Sequence, residues 1–139
     1  MDDLKQLIEN HLANHNALML ATTGGEYSPW ILGVYYFNDG LDIYFFLETN
    51  GKSMGNVRNN NSVAISVSQN DAMKDFLQGY GKIEVLPDDK EKFVRDGLVA
   101  KMPWFQTYTP VSPVKVKIEK SFFTSLERQW FPAKVLENQ

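Results

Sequence analysis

The sequence predicts a mainly β fold with flanking helices, a six-stranded antiparallel barrel. Three observations carry this reading. Apolar runs of strand length recur between tight-turn residues, the pair Asp39-Gly40 sits between two aromatic-rich runs, and helical periodicity is confined to two stretches. Few segments have the length of a βαβ crossover, so a doubly wound sheet is disfavoured.

Residues 3–12 form the first element, an amphipathic helix, because Leu4, Leu7, Ile8 and Leu12 share one face and Asp3 with Gln6 resembles a capping box. Strands follow over residues 17–21, 29–37 and 41–47. Gly24-Gly25 and Asn38-Asp39-Gly40 separate them, and the second pair of strands should form a hairpin, since such a turn needs positive φ. Residues 63–67 are short and β-branched. Residues 76–86 read as a strand whose Gly79 and Gly81 mark a bend or a close approach. A second helix starts at Asp88, with Glu91 three residues on and Phe93, Val94 and Leu98 on its apolar face, and stops before Pro103. The last strand covers residues 114–118, and Phe122, Phe123 and Leu126 extend it after a bend.

Length and composition fit one domain spanning residues 1–139. A chain of 139 residues with 43% hydrophobic and 22% charged residues can bury about two-thirds of its unfolded surface, without repeats or linkers. The formal charge of −3 leaves no electrostatic footprint for nucleic acid or an anionic membrane. Zero cysteines exclude disulfides, thiolate catalysis and cysteine-ligated metals, and no apolar run approaches a membrane span. The start Met1-Asp2-Asp3 lacks a signal-peptide core, so a cytoplasmic protein is expected.

The chemistry concentrates after the third strand. Thr49 and Ser53 offer hydroxyls, Lys52 a positive charge and Gly51 backbone freedom, and a helix starting near Lys52 would aim unpaired N–H groups at an anion. This pattern suits a phosphorylated cofactor. It equally describes an ordinary Asn50-Gly51 turn before a surface helix, because the flanking glycines of a Walker loop are missing. Thr22-Thr23-Gly24-Gly25 lacks the glycine spacing of a dinucleotide-binding turn. His11 and His15 lie one helical turn apart, but the third ligand of a metal site is missing, so an exposed helix end is expected and no metal. With histidines at these two positions alone, no Ser-His-Asp set forms. Lys115, Lys117 and Lys120 read as a solvated strand face.

These residues carry a family resemblance. Ala21-Thr22 before a turn, Ser28-Pro29 opening the second strand, Asp39-Gly40, the run Gly51-Lys52-Ser53-Met54-Gly55-Asn56-Val57-Arg58-Asn59-Asn60-Asn61-Ser62-Val63-Ala64, and Gly81-Lys82-Ile83-Glu84-Val85 before an acidic helix start follow one another in order. Over residues 5–100 the chain resembles the pyridoxamine 5′-phosphate oxidase-like FMN-binding split barrels, including their small nitroreductase and general-stress members. The resemblance implies a split barrel and a homodimer with FMN at the subunit interface. It implies that Trp30, Ile31 and Leu32 line the isoalloxazine, that Leu47, Glu48 and Thr49 stand at the end of the third strand, and that Lys52 and Ser53 hold the phosphate. Ser53 stands where the family often has a second basic residue, and Asn61 where it often has proline, which implies a weaker phosphate grip.

The resemblance further implies an FMN-dependent oxidoreductase acting on a small molecule. No catalytic side chain is assigned, because the flavin itself moves the hydride. The tail Ser125-Leu126-Glu127-Arg128-Gln129-Trp130 matches only loosely the basic, histidine-containing substrate motif of true pyridoxamine-phosphate oxidases, so another substrate is expected. Residues 101–108, rich in aromatics, are expected either to close over the substrate side or to pack in the dimer. Aromatics in strands are commonly core, which bears on Trp30, Trp104 and Trp130 alike. The alternative is a non-catalytic member of the fold that binds flavin, deazaflavin or haem, or that has lost its cofactor.

Overall fold

The computed structural model describes residues 2–137. Helix α1 (Asp2–Ala13) leads into β1 (Ala17–Thr22), β2 (Trp30–Tyr35), β3 (Phe37–Asp39) and β4 (Asp42–Glu48). Helix α2 (Lys52–Asn59) precedes β5 (Ser62–Val67) and β6 (Phe76–Val85). A 3-10 turn (Asp88–Lys90) opens α3 (Glu91–Lys101), and β7 (Val111–Ser125) and β8 (Trp130–Glu137) close the chain. The described strands form one antiparallel sheet in the order β2-β1-β5-β6-β7-β4-β3, with β8 added on β7.

The sheet curls into a split barrel because its two ends approach one another: β2 pairs only with β1, yet packs against β4. Alternation along β1, β5 and β6 sends Leu18, Leu20, Val63, Ile65, Leu77 and Ile83 inward, where Ile8 and Leu12 of α1 plug one end. β4 is covered on both faces. Ile43, Phe45 and Leu47 join the barrel core, while Phe46 meets Val94, Leu98 and Met102 of the α3 cluster, which accounts for its unbroken apolar run. Each side chain so buried contributes about 1.5–3 kcal/mol.

Among the described residues eight strands stand where six were expected. β7 is far longer than residues 114–118, because its inward positions continue past Ile118 as Ser121, Phe123 and Ser125, and the buried serines break the apolar alternation. β8 was not expected, and its Pro132 is tolerated because β8 is an edge strand. The helix starts also differ. Asp3 lies inside α1 and Gln6 Nε2 donates to Asn10 Oδ1 at 2.9 Å, while Asp88 begins the 3-10 turn and α3 starts at Glu91 without a side-chain cap.

The glycine signals hold in detail. Gly40 has φ +61 in the β3–β4 hairpin, where Asp39 pairs with Asp42. The β6–β7 register shifts between Tyr80 and Gly81, and a Cβ on Gly81 would fall on the Lys117 carbonyl. His11 corrects the expectation of an exposed helix end: it is 8% exposed, its Nε2 lies 2.9 Å from the Val67 carbonyl, and burial lowers its pKa. Lys101 ties the two long helices together. Its ammonium donates to the carbonyls of Leu12, His15 and Tyr36 and lies 4.1 Å over the Tyr36 ring, and burial pushes its pKa down to about 8. No described helix is long and apolar enough to cross a membrane.

Candidate functional site

The barrel's open seam carries the site. β2 has no strand on its outer side, and β4 pairs with β3 only as far as Tyr44, so the facing edges of β2 and of β4 from Phe45 to Glu48 are unpaired among the described residues. Every second residue along such an edge turns its backbone N–H and C=O outward, ready for a ligand with hydrogen-bonding edges.

At the α2 end the seam widens into a cleft of about 460 Å³, lined by Tyr27, Trp30, Leu32, Glu48 and residues 50–54. Helix α2 begins there, with Gly51 as its N-cap in an extended conformation and with no side-chain cap. The N–H groups of Lys52, Ser53 and Met54 therefore have no acceptor within the helix and present partial positive charge to the cleft. The Ser53 hydroxyl is buried without a hydrogen-bond partner, and the residue is only 4% exposed. An orphaned hydroxyl in this position asks for an acceptor from outside the chain. Lys52 Nζ lies 5.1 Å from the Tyr27 ring centroid and 5.4 Å from that of Trp30, so its cation is held at the mouth by two aromatic faces.

A polar clasp fixes this geometry. Asn56, fully buried on α2, donates through Nδ2 to Thr22 Oγ1 (2.9 Å) and to the Tyr27 carbonyl (2.7 Å), and its Oδ1 accepts from Gly25 N (2.7 Å). Asn59 and Asn60 add bonds to the Gly24 carbonyl and to Thr23 Oγ1, both at 3.0 Å. Gly24 and Gly25 are needed for this approach. Gly24 has φ +111, and a Cβ on Gly25 would stand 2.5 Å from Asn56 Oδ1.

Trp30, Leu32, Glu48, Lys52 and Ser53 are thus brought together in the cleft. The other three candidates point elsewhere. Ile31 faces outward at 61% exposure, Leu47 is in the barrel core, and Thr49 ties β4 to β7 through Ser112 Oγ (2.9 Å) and the Pro110 carbonyl (3.0 Å). Tyr27, Met54 and Asn56 were not foreseen. A signal existed for Asn56: it lies one helical turn from Ser53, and a buried amide there must have partners.

Among the described residues no group of three or more histidine and acidic side chains can hold a metal. His11 and His15 line a separate pocket with Gln69 and Asp75, away from the cleft. Residues 102–110 run from the α3 cluster to the seam, where Phe105 and Tyr108 line one groove with Leu32 and Glu48.

The family model described as pyridoxamine 5′-phosphate oxidase matches residues 4–123, most of the chain. The chain belongs to the pyridoxamine 5′-phosphate oxidase family. No curated protein matches it in sequence. Solved structures of similar fold include the general stress protein 26 of Bacillus anthracis (16% identity, TM-score 0.71, covering 97% of this chain and 98% of that one). An F420 reductase is similar at 23% identity and TM-score 0.67, covering 81% and 94%, and a haem-binding protein of Mycobacterium smegmatis at 17% and 0.70, covering 93% and 56%. At these identities the likeness is one of fold. Proteins described as a reductase and as haem-binding thus share this fold.

Proposed function

We propose that this member of the oxidase family is an FMN-binding oxidoreductase of a small molecule, with its flavin in the seam between β2 and β4. The partnerless Ser53 hydroxyl carries the reading. It stands beside Lys52 and the α2 N-terminus, so a phosphate there would accept from Ser53 Oγ, from first-turn N–H groups and from the Lys52 ammonium. The residues present fit the group. Trp30 and Leu32 supply an apolar wall for a flat ring, and the free β2 and β4 edges supply donors and acceptors for its polar rim.

Bound there, FMN would supply hydride acceptance and donation. The protein's own part is to bind and exclude water. The Asn56 clasp keeps Tyr27 over Lys52, which shields the anion cradle, and residues 102–110 shield the far end of the seam. No histidine lines the cleft among the described residues, which favours flavin over haem.

A second copy of the chain completes the site in this reading. On the outer face of the sheet, a row runs across four strands from Ile31 through Ala21 and Ala64 to Tyr80, by direct pairing. The two alanines floor a shallow groove of about 400 Å³ between exposed large side chains, a shape suited to burial in a homodimer. The deciding experiment is an absorbance spectrum after adding FMN and removing the excess. Flavin bands at about one per chain are expected; a flat spectrum would overturn the reading.

A further inference from the structure

Beyond the cleft the seam continues into a second groove of about 230 Å³, joined to it through Leu32 and Glu48. Its walls are aromatic: Tyr35 and Phe46 on the strands, Phe105 and Tyr108 on the segment that follows α3. Tyr108 is 87% exposed, a large ring held in solvent at the groove's edge. Glu48 is the one charged side chain lining this groove, and it has no ion-pair partner among the described residues.

The cation packed behind the groove wall is already engaged. Arg95 donates to Glu91 Oε1 at 2.8 Å and to Thr107 Oγ1 at 3.1 Å, and its guanidinium covers the Phe46 ring at 4.8 Å. Arg95 therefore steadies the wall without offering its charge to the groove. Lys52, the other nearby cation, lines the cleft and not the groove.

We propose that this groove is the substrate site and that it takes flat aromatic cations lacking any phosphate or carboxylate. The aromatic rings of Phe105 and Tyr108 attract a cation, and the unpaired Glu48 carboxylate neutralises it, whereas an anion would meet that carboxylate with no cationic side chain lining the groove. The proposal deepens the flavin reading and rests on it for what lies next to the substrate.

The test measures tryptophan fluorescence quenching, with Trp104 4.9 Å from Tyr35 as the local reporter. N-methylquinolinium, a bicyclic aromatic cation, is compared with naphthoate, an anion of similar size, on protein with and without added FMN. The cation should bind about tenfold tighter. Glu48→Gln should erase most of that preference, and Tyr108→Ala, at a side chain almost wholly in solvent, should weaken the cation without unfolding the protein. Equal or tighter naphthoate binding overturns the proposal, as does cation binding that neither variant changes, or no binding of either probe because a second copy covers the groove. Flavin retention is scored separately by absorbance. Quinolinium selectivity without flavin retention leaves the groove standing and removes the cofactor reading.

Discussion

The Asn56 side chain donates to the Tyr27 backbone carbonyl at 2.7 Å, so the helix that opens the anion cradle also holds the loop that carries its aromatic cover. The same amide serves Thr22 and Gly25. Asn56→Ala removes three hydrogen bonds, a buried one to Thr22 and part-buried ones to the Tyr27 carbonyl and Gly25 N, and is expected to cost about 2–4 kcal/mol of stability. Urea unfolding checks this, and a loss below about 0.5 kcal/mol would mean that the clasp is dispensable.

Ser53 and Lys52 should separate stability from binding. Removing a buried hydroxyl that has no partner relieves an unsatisfied group, so Ser53→Ala should leave stability within about 1 kcal/mol of the parent or raise it. FMN affinity should nevertheless fall by about 0.5–1.5 kcal/mol, and Lys52→Ala should lose about 1–3 kcal/mol of affinity with folding preserved. Calorimetric titration with FMN measures both. Unchanged dissociation constants would take these residues out of the site.

Acid should weaken the fold through His11. Burial holds its folded-state pKa below the ordinary 6.5, against smaller opposing effects of the Val67 carbonyl and Asp75. Below 6.5 the unfolded chain therefore takes up a proton more readily than the folded one. Its contribution to stability is complete above 6.5 and is lost as pH falls through that value toward the folded pKa. Urea midpoints at pH 7.5 and 5.5 should differ less in His11→Gln than in the parent; an equal drop in both would place the acid sensitivity elsewhere.

Gly81→Ala should be costly, since its Cβ would meet the Lys117 carbonyl at the β6–β7 irregularity. A loss of about 2–4 kcal/mol is expected by thermal unfolding. Gly55→Ala is a fitting control, because nothing lies within 4 Å of its added Cβ.

The outer face should be a contact between copies. Tyr80→Glu places a charge beside the alanine-floored groove and is expected to shift a dimer to monomer in light scattering at micromolar concentration. A parent protein that is already monomeric would overturn the shared-site reading.

Much of the fold was legible in local pattern. Apolar, strand-length runs at residues 17–21 and 63–67 placed β1 and β5, Asp39-Gly40 placed the hairpin, and the helical repeat of Leu4, Ile8 and Leu12 placed α1, because each signal is complete within a few residues. The end of β7 and all of β8 were not legible, since buried Ser121 and Ser125 and the edge proline Pro132 carry meaning only once neighbours are known. The start of α2 was readable for the same local reason: a glycine, a cation and a hydroxyl stand there in consecutive positions.

The sequence by itself determined the strand-rich class, the turn positions, the start of α2 and the family to which the chain belongs. Tertiary structure alone decided which side chains meet in the cleft. Alternation says that Trp30 and Ile31 face opposite ways, but not which faces the seam, and the register with β1 settles that in favour of Trp30. Tyr27 reaches Lys52 only because Asn56, 29 residues away, bonds the loop to the helix. The unpaired edges of β2 and β4 arise from curling the sheet, and pairings between distant segments leave no mark in the local order of residues.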